Sequence, residues 1–419
     1  MRSIPNATNT YQRFSYVLLA CVMLLFISGC KPRPEVVSPG AFSERYPAAE
    51  DRLAPDGARI GAPESPVLSG TTVKVGLLLP LSGRHADLGR ALQNAATMAL
   101  FDKYASLSPQ MAATKVELVA EDSGDTAESA RRATRALLDE DVALIIGPVF
   151  GEMLPEVASI AKTKEVPVIS FSNNREVAGP GAYIFGFSPE AQAERIVRFA
   201  QGNGKQKFAI LSPDSAYGKS VRQAANRVAN EAQEPVIVQA EYAAQGVGIE
   251  KAMARILPAA EQGSFSALFF PESGKPLEII LRTLDAKNLR APTTGLQLLG
   301  TGLWDDRNLI RRVNLEGAWL ATSPPNLTQA FERRFNNTYR YMPPRIASLA
   351  YDAVSLAVTL ATSGRGLTNE TLTHTGGFSG PANGIFRFHP DGTSERGLAV
   401  IQVSGTGFQI LSPAPTNFR

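Results

Sequence analysis

The segment 73–80, VKVGLLLP, decides how this chain folds. An almost unbroken apolar run of this length is typical of a strand that is buried on both faces. The run is followed by helical periodicity at 90–105 and by a second strand pattern at 115–121. A buried strand, a helix and another strand in this order predict the start of a parallel sheet covered by helices.

The same alternation continues through most of the chain. We predict further strands at 143–148, 166–171, 207–212, 236–241, 266–271 and 317–322, and short β-segments within 384–411. We predict further helices at 125–140, 152–165, 189–202, 217–233, 248–262, 275–288, 326–340 and 346–363. Asp125 is the expected cap of the first of these helices. The pattern favours two similar α/β lobes over one long sheet.

The composition is that of an ordinary globular protein. Among 419 residues, 44% are hydrophobic and 19% are charged, and the formal net charge is +3. Arg2 and Arg13 account for +2 of this charge because residues 1–29 hold no acid, which leaves +1 for the rest. A nearly neutral body gives no electrostatic reason to expect a nucleic-acid partner. Small molecules and proteins are therefore the expected partners.

Several stretches resemble catalytic motifs, but each lacks a residue that its chemistry needs. The segment 213–220, PDSAYGKS, ends like a P-loop, but Pro213 replaces the first glycine of the phosphate cradle. Ser159 and Lys162 have S-x-x-K spacing without the S-D-N and K-T-G motifs that complete such a site. The histidines lie far apart, and no pair has metal-ligand spacing. We therefore predict no catalytic residue, no metal and no cofactor, and an enzyme is the least favoured class.

Residues 1–29 have the pattern of an export signal. Arg2 and Arg13 form a basic start, and the apolar run 16–27 is too short for a bilayer span, which needs about 20 residues. A signal-anchor helix and an ordinary cleaved signal are the alternatives. Residues 31–70 are rich in proline and have no apolar periodicity, which predicts an extended tether.

The segment 25–30, LFISGC, resembles the lipobox of bacterial lipoproteins. In that family the cysteine is acylated and becomes the first residue of the mature chain, which implies that Cys30 carries a lipid anchor at the head of a tether, 30–70. Aspartate after the cysteine usually means inner-membrane retention in that family, so Lys31 favours the outer membrane. The resemblance implies a body held on the periplasmic side of a Gram-negative envelope.

Candidate ligand-binding residues follow the carboxyl ends of the predicted strands, where ligands bind in doubly wound sheets. These ends are rich in small polar and aromatic residues, and Gly151 opens a helix whose N–H groups could hold an anion. Turn formation is the alternative for each residue alone, but jointly they predict a cleft between the lobes. The candidates are Ser82, Phe150, Gly151, Ser172, Asn173, Asp214, Tyr217 and Glu272.

The segment 73–100 resembles the opening strand, loop and helix of the type I periplasmic binding proteins of the leucine/isoleucine/valine-binding class. Further resemblance lies in LIIGPV (144–149), VPVISFSNN (166–174), ILSPDSAYGKS (210–220), SLAYDAVSLA (348–357) and 378–403. The resemblance implies an α/β fold with two Rossmann-like, doubly wound parallel-sheet lobes joined by a three-segment hinge. Such lobes would close around a ligand by hinge motion.

The same resemblance implies how the lobes divide the chain. It places crossovers near 175–188, 320–326 and 374–382. Lobe 1 would then comprise 71–184 plus 322–375, and lobe 2 would comprise 185–321 plus 376–412. Tyr217 matches the cleft tyrosine of the family, and the second-lobe acid is matched by Glu272 or, in other alignments, by Pro276 or Glu278.

A narrower resemblance concerns the cellular role. GLLLPLSG (76–83), GTGLWDD (300–306) and the proline-rich tether are similar to the lipoproteins related to penicillin-binding protein activators. This implies a role in cell-envelope biogenesis, with a peptidoglycan synthase as partner and an amino acid or peptidoglycan fragment as ligand. The alternative is the substrate-binding lipoprotein of an ABC importer for branched-chain or other amino acids, which would dock on an ABC permease.

Overall fold

The computed structural model describes residues 35–37, 71–233, 236–290, 294–405 and 407–418. The predicted signal peptide, Cys30 and all of the predicted tether except 35–37 lie outside these residues. In the described part, no helix combines the length and the apolar character that crossing a membrane requires.

Strands and helices alternate for most of the described chain. The strands are β1 Glu35–Val37, β2 Thr72–Leu79, β3 Lys115–Asp122, β4 Leu144–Ile146, β5 Val168–Ser170, β6 Ala182–Ile184, β7 Phe208–Asp214, β8 Val236–Ala243, β9 Ala267–Phe269, β10 Gln297–Thr301, β11 Trp319–Thr322, β12 Phe378–Gly380, β13 Gly384–Phe388, β14 Ser394–Arg396, β15 Ala399–Ser404 and β16 Gly407–Ser412. The helices are α1 Ala86–Ala105, α2 Ala127–Asp139, α3 Leu154–Ala161, α4 Pro189–Gly202, α5 Ala216–Glu231, α6 Ile249–Glu261, α7 Gly274–Ala286, α8 Arg307–Arg312, α9 Pro325–Tyr339, α10 Ala347–Thr362 and α11 Asn369–Leu372.

The described strands form three sheets. The first has the order β1-β3-β2-β4-β5-β6 and is parallel except for β1. The second has the order β16-β15-β11-β10-β9-β7-β8 and is parallel except for β15 and β16. The third is a small antiparallel sheet of β12, β13 and β14. Most parallel connections in the large sheets run through helices, because a parallel pair needs a crossover. The exception is β5 to β6, which residues 171–181 join without an α-helix.

Helices cover both faces of each large sheet and so create two bodies. The first body is the first sheet with α1, α9 and α10 on one face and α2 and α3 on the other. The second body is the second sheet with α6, α7 and α8 on one face and α4 and α5 on the other. Each sheet is thus buried on both sides, as the apolar strands predict.

The strand β2 explains why the opening segment is almost wholly apolar. Leu77 and Leu79 pack into the core that includes α1 and α10, while Leu78 packs into the core on the opposite face. All three are at most 1% exposed. Gly76 faces α2, where a Cβ atom would come within 2.9 Å of Leu137. A larger residue at 76 would therefore displace the buried Leu137 side chain.

The helix α2 begins differently from the prediction. Its N-cap is Thr126, whose hydroxyl accepts a hydrogen bond from the Ser129 N–H, while the Ser129 hydroxyl accepts one from the Thr126 N–H. Thr126 has the extended backbone that an N-cap needs, directly before the first helical residue. The predicted cap, Asp125, does not cap the helix; its Oδ2 lies 3.9 Å from Arg84 Nε.

The chain passes between the two bodies three times. The first passage joins β6 to α4 and the second joins β11 to α9. The third lies between β14 and β15 rather than at the predicted 374–382. Phe386 and Phe388 of β13 are buried in the core of the first body against Phe185, which holds the third sheet there. The assignment of 376–412 to lobe 2 is therefore wrong for β12–β14, whereas β15 and β16 join the second sheet.

The predicted tether contains one strand. Glu35–Val37 form β1, which pairs antiparallel with the edge strand β3, Val36 opposite Val119. An open sheet edge offers unpaired N–H and C=O groups to any extended segment that reaches it, and valine favours that conformation. The predicted tether is therefore extended at 35–37, and there it pairs with the edge of the first sheet.

Candidate functional site

The candidate site is a cleft between the two bodies, at the carboxyl ends of their parallel strands. The first cavity of the cleft, about 740 Å³, is lined by the loops that follow β4 and β5. The second cavity, also about 740 Å³, is lined by both bodies and includes Tyr217 and Thr301. Asn173, Phe187 and Arg345 border both cavities, so the two are direct neighbours.

Four of the predicted residues line the first cavity: Phe150, Gly151, Ser172 and Asn173. They meet because β4 and β5 are adjacent parallel strands whose carboxyl ends lie at one edge. Gly151 lies against Ser172, where a Cβ atom would come within 2.6 Å of Ser172 Oγ. Glycine therefore allows the two loops to touch. The Ser172 hydroxyl accepts a hydrogen bond from the Asn174 N–H at 3.1 Å.

Tyr217 lines the second cavity. It lies in the first turn of α5, and its hydroxyl shares a 2.9 Å hydrogen bond with Thr301 Oγ1 at the end of β10. Burial raises the pKa of Tyr217, although its hydrogen bond with Thr301 opposes the rise. The phenol therefore stays neutral at neutral pH and can both donate and accept a hydrogen bond.

The other predicted residues, Ser82, Asp214 and Glu272, line neither cavity. Ser82 is exposed, and its N–H donates to Asp122 Oδ1 at 3.2 Å. Asp214 is exposed at the end of β7. Glu272 accepts a hydrogen bond from the Tyr242 hydroxyl within the second body. A ligand contact at these three positions stays a prediction.

Sequence reasoning misses Arg345, which borders both cavities. This residue lies in the loop between α9 and α10 of the first body, and its side chain reaches the second body. Its Nη1 donates to the Gly302 carbonyl, and its Nη2 donates to Thr322 Oγ1 at 2.6 Å. Its guanidinium also lies 4.6 Å from the centre of the Phe187 ring. One cation thus bridges the bodies and faces the space between them.

The backbone at Gly302 is shaped to receive this arginine. Its N–H donates to Gln192 Oε1 at 2.6 Å, and its carbonyl accepts from Arg345. A Cβ atom at 302 would lie 2.5 Å from Arg345 Nη1, so only glycine permits the approach. The segment GTGLWDD (300–306) contains a sequence signal for this contact, because glycine at a strand often indicates the close approach of another group.

Two acids lie near this arginine in the second cavity. Asp305 Oδ2 accepts a hydrogen bond from the Thr322 hydroxyl at 2.6 Å and lies 3.7 Å from Arg345 Nη2. Glu332 of α9 borders the same cavity, and its pKa is raised by burial and by the charge of Asp305. Asp306, Arg307 and Arg311 line this cavity as well. The cavity is therefore lined by three cations and three acids, which suits a ligand that carries both signs of charge.

A family model described as periplasmic binding protein matches residues 72–407. Among curated proteins, an uncharacterised protein of Rickettsia prowazekii is 22% identical over 151 residues, which cover 36% of this chain and 38% of that protein. The chain thus spans well under half the length of this relative.

Two solved structures have the same fold. A candidate branched-chain amino acid ABC transporter protein from Rhodospirillum rubrum is 21% identical, with a TM-score of 0.72 over 81% of this chain and 100% of that one. An ABC transporter substrate-binding protein from Desulfitobacterium hafniense, solved in complex with Leu, is 18% identical, with a TM-score of 0.61 over 81% of this chain and 100% of that one. The likeness confirms the predicted α/β class with two parallel-sheet lobes.

Proposed function

This chain belongs to the periplasmic binding protein family and has its type I fold, and on that premise we propose that it binds a small solute without catalysis. Membership of the family implies a periplasmic location. The observation that carries the proposal is Arg345, whose side chain is 28% exposed and borders both cavities of the cleft. A guanidinium in a cleft favours a carboxylate. The proposed ligand is therefore a carboxylate-bearing solute such as an amino acid.

The contacts of Arg345 leave capacity for such a ligand. An arginine side chain has five N–H donors, and the hydrogen bonds to Gly302 and Thr322 use two of them. The volume of each cavity, about 740 Å³, lies within the usual range for small-molecule sites, about 300–1,000 Å³. A ligand carboxylate is expected at the guanidinium, between the bodies.

The acids beside the arginine support an ammonium group on the same ligand. Asp305 and Glu332 border the second cavity together with Arg345. A free amino acid places its two charges within a few ångströms of each other, so one end can face the arginine and the other an acid. The predicted Glu272 is a weaker candidate for the ammonium group, because it lies outside both cavities.

A thermal-shift panel tests the proposal. Amino acids and simple carboxylates are compared with the amines that remain after decarboxylation. A bound carboxylate at 100 times its dissociation constant should stabilise the protein by about 2.7 kcal/mol, and the matching amine should not. A panel without any stabilising carboxylate, or an amine that stabilises equally, would contradict the proposal.

For the partner, we propose the permease of an ABC importer, in line with the solved structures that share the fold. An activator-type role on a peptidoglycan synthase is the second candidate. It is favoured by GTGLWDD and by two apolar side chains at the second cavity, Leu303 at 40% and Met342 at 60% exposed, which a protein could cover. Affinity capture with purified permease and purified synthase distinguishes the two roles. Retention of the permease supports the importer role, and retention of the synthase supports the activator role.

We also propose that Cys30 carries the lipid anchor, on the strength of LFISGC alone. Labelling with palmitate in cells should mark the wild type and Cys21→Ser but not Cys30→Ser. Cys21 is the matched control, because the proposed cleavage removes it. Lys31→Asp should move the protein from the outer to the inner membrane on a density gradient. Labelling of Cys30→Ser would refute the anchor.

A further inference from the structure

The short helix α8 of the second body presents two arginines to the second cavity of the cleft. Leu309 and Ile310 of this helix are buried in the core of the second body, which fixes the apolar face of the helix. Arg307 and Arg311 are four residues apart and therefore lie on one face of the helix. Both are exposed, and both line the cavity. The second body thus contributes its own cations to the cleft.

Two of the three acids that line this cavity are engaged by other groups. Asp305 accepts a hydrogen bond from the Thr322 hydroxyl and lies 3.7 Å from Arg345 Nη2. Asp306 is the N-cap of α8, and its Oδ1 accepts a hydrogen bond from the Asn308 N–H at 2.7 Å. Among the described residues, neither carboxylate forms an ion pair with an arginine of α8.

The third acid, Glu332 of α9, lies near Arg307 across the cavity. Burial and the charge of Asp305 raise the pKa of Glu332, and the charge of Arg307 opposes the rise. Arg307 therefore has an acid in its neighbourhood. Arg311, in contrast, has neither an ion pair nor a side-chain hydrogen bond within the part of the chain that the structure describes. One cation in the wall of the cavity is thus left without an anionic partner.

We propose that the ligand of the cleft carries a second carboxylate, which binds at Arg311. This inference rests on the proposed function, because the first carboxylate is the one expected at Arg345. Arg345 belongs to the first body and Arg311 to the second, and both line one cavity. The chemical class of the ligand is then an amino acid whose side chain ends in a carboxylate, such as glutamate. Its two carboxylates would link the bodies, so the ligand would favour the closed cleft.

Matched pairs of acids and amides test the second carboxylate. Titration calorimetry compares aspartate with asparagine, glutamate with glutamine, and 2-aminoadipate with its side-chain amide, so that three side-chain lengths are covered. The acid of the best length should bind about fivefold more tightly than its amide, which is the upper end for an exposed ion pair. Added salt should reduce this preference, because the pair is accessible to solvent.

Variants of α8 assign the preference to one side chain. Arg311→Gln should make the acid and its amide bind alike, whereas Arg311→Lys keeps the charge and should retain most of the preference. Arg312→Gln is the matched control, because Arg312 lies on the same helix, is exposed and lines neither cavity of the cleft. Its loss changes the net charge equally, so the preference for the acid should persist.

The outcomes separate this inference from the proposed function. Equal affinities for acid and amide at all three lengths would overturn the second carboxylate and leave the proposed function intact. A preference for the acid that persists in Arg311→Gln would overturn the assignment to Arg311. If none of the six compounds binds, the inference is wrong, and the thermal-shift panel of simple carboxylates decides the proposed function separately.

Discussion

Arg345 Nη2 of the first body donates a 2.6 Å hydrogen bond to Thr322 Oγ1 of the second body. Thr322 ends β11 directly before the second passage, so this contact lies at the hinge and at the cleft at once. A ligand carboxylate that engages the same guanidinium would therefore bind where the relative position of the bodies is decided. Ligand binding and closure of the cleft are expected to be coupled through this side chain.

The first prediction concerns this arginine. Arg345→Gln should weaken binding of a carboxylate ligand by at least about tenfold, because a charged hydrogen bond contributes about 1.5–3 kcal/mol. Arg345→Lys should bind with intermediate affinity, since one ammonium cannot serve Gly302, Thr322 and a ligand in the fixed geometry of a guanidinium. Titration calorimetry measures both, with the exposed Arg365→Gln as control. Unchanged affinity in Arg345→Gln would show that the ligand carboxylate does not bind at Arg345.

The second prediction concerns Tyr217, which sequence reasoning selects and the structure places beside the second cavity. Tyr217→Ala should weaken ligand binding without unfolding the protein. Tyr217→Phe keeps the ring and removes only the hydrogen bond to Thr301, so it should lower the free energy of unfolding by about 0.5–1.5 kcal/mol. Calorimetry and chemical denaturation measure the two effects. If Tyr217→Ala binds like the wild type, Tyr217 is a structural residue of the second body.

Hydrophobic periodicity predicts the bounds of an element well where a capping residue or a proline marks its end. The helix predicted at 189–202 is found as α4 Pro189–Gly202, because the Ser188 hydroxyl accepts from the Ala191 N–H at 3.1 Å and proline fits the first helical position. The strand β10 has no such signal. It spans only Gln297–Thr301 and carries no long apolar run, so it is absent from the predicted strands.

The candidate site is predicted where it depends on strand ends and missed where it depends on distant contacts. Ser172 and Asn173 follow a buried strand, so topology alone brings them to the cleft. Arg345 lies in a loop between helices and acquires its place through Gly302, 43 residues away. The third passage is misplaced for the same reason, since only packing reveals that Phe386 belongs to the first core.

The third prediction concerns the buried Asp352. Burial raises the pKa of its carboxyl from 3.8 to about 6, although Arg396 and the hydrogen bonds from Ala382 and Asn383 oppose the rise. Between pH 3.8 and about 6, the carboxyl of Asp352 is therefore protonated in the folded protein and ionised in the unfolded chain. The stability from this group is complete below pH 3.8 and is lost as the pH rises through about 6. The loss amounts to about 3 kcal/mol.

Asp352→Asn cannot titrate and so isolates this effect. The free energy of unfolding of the wild type, relative to the variant, should fall by about 2.4 kcal/mol between pH 4 and pH 7. Asp139→Asn on the exposed end of α2 is the control and should leave the wild-type pH dependence intact. Denaturation at several pH values measures the difference. Parallel pH profiles for the wild type and Asp352→Asn would mean that Asp352 does not titrate in this range.

The fourth prediction tests where the third sheet belongs. Phe386 is fully buried, with its ring centre 4.7 Å from that of Phe185 in the first core. Phe386→Ala should lower the free energy of unfolding by about 3–5 kcal/mol through loss of burial and formation of a cavity. Because its neighbours lie in the first body, hydrogen exchange should accelerate in β5 and β6 and stay unchanged in β7 and β8.

Phe408 provides the matched control for this variant. It is a partly buried phenylalanine on β16, close in sequence to Phe386, and it packs on the core of the second body. Phe408→Ala should therefore accelerate exchange in the second sheet, with a smaller loss of stability because less of the ring is buried. If Phe386→Ala instead loosened the second sheet and spared the first, the third sheet would belong to the second body, and the passage between the bodies would lie before β12.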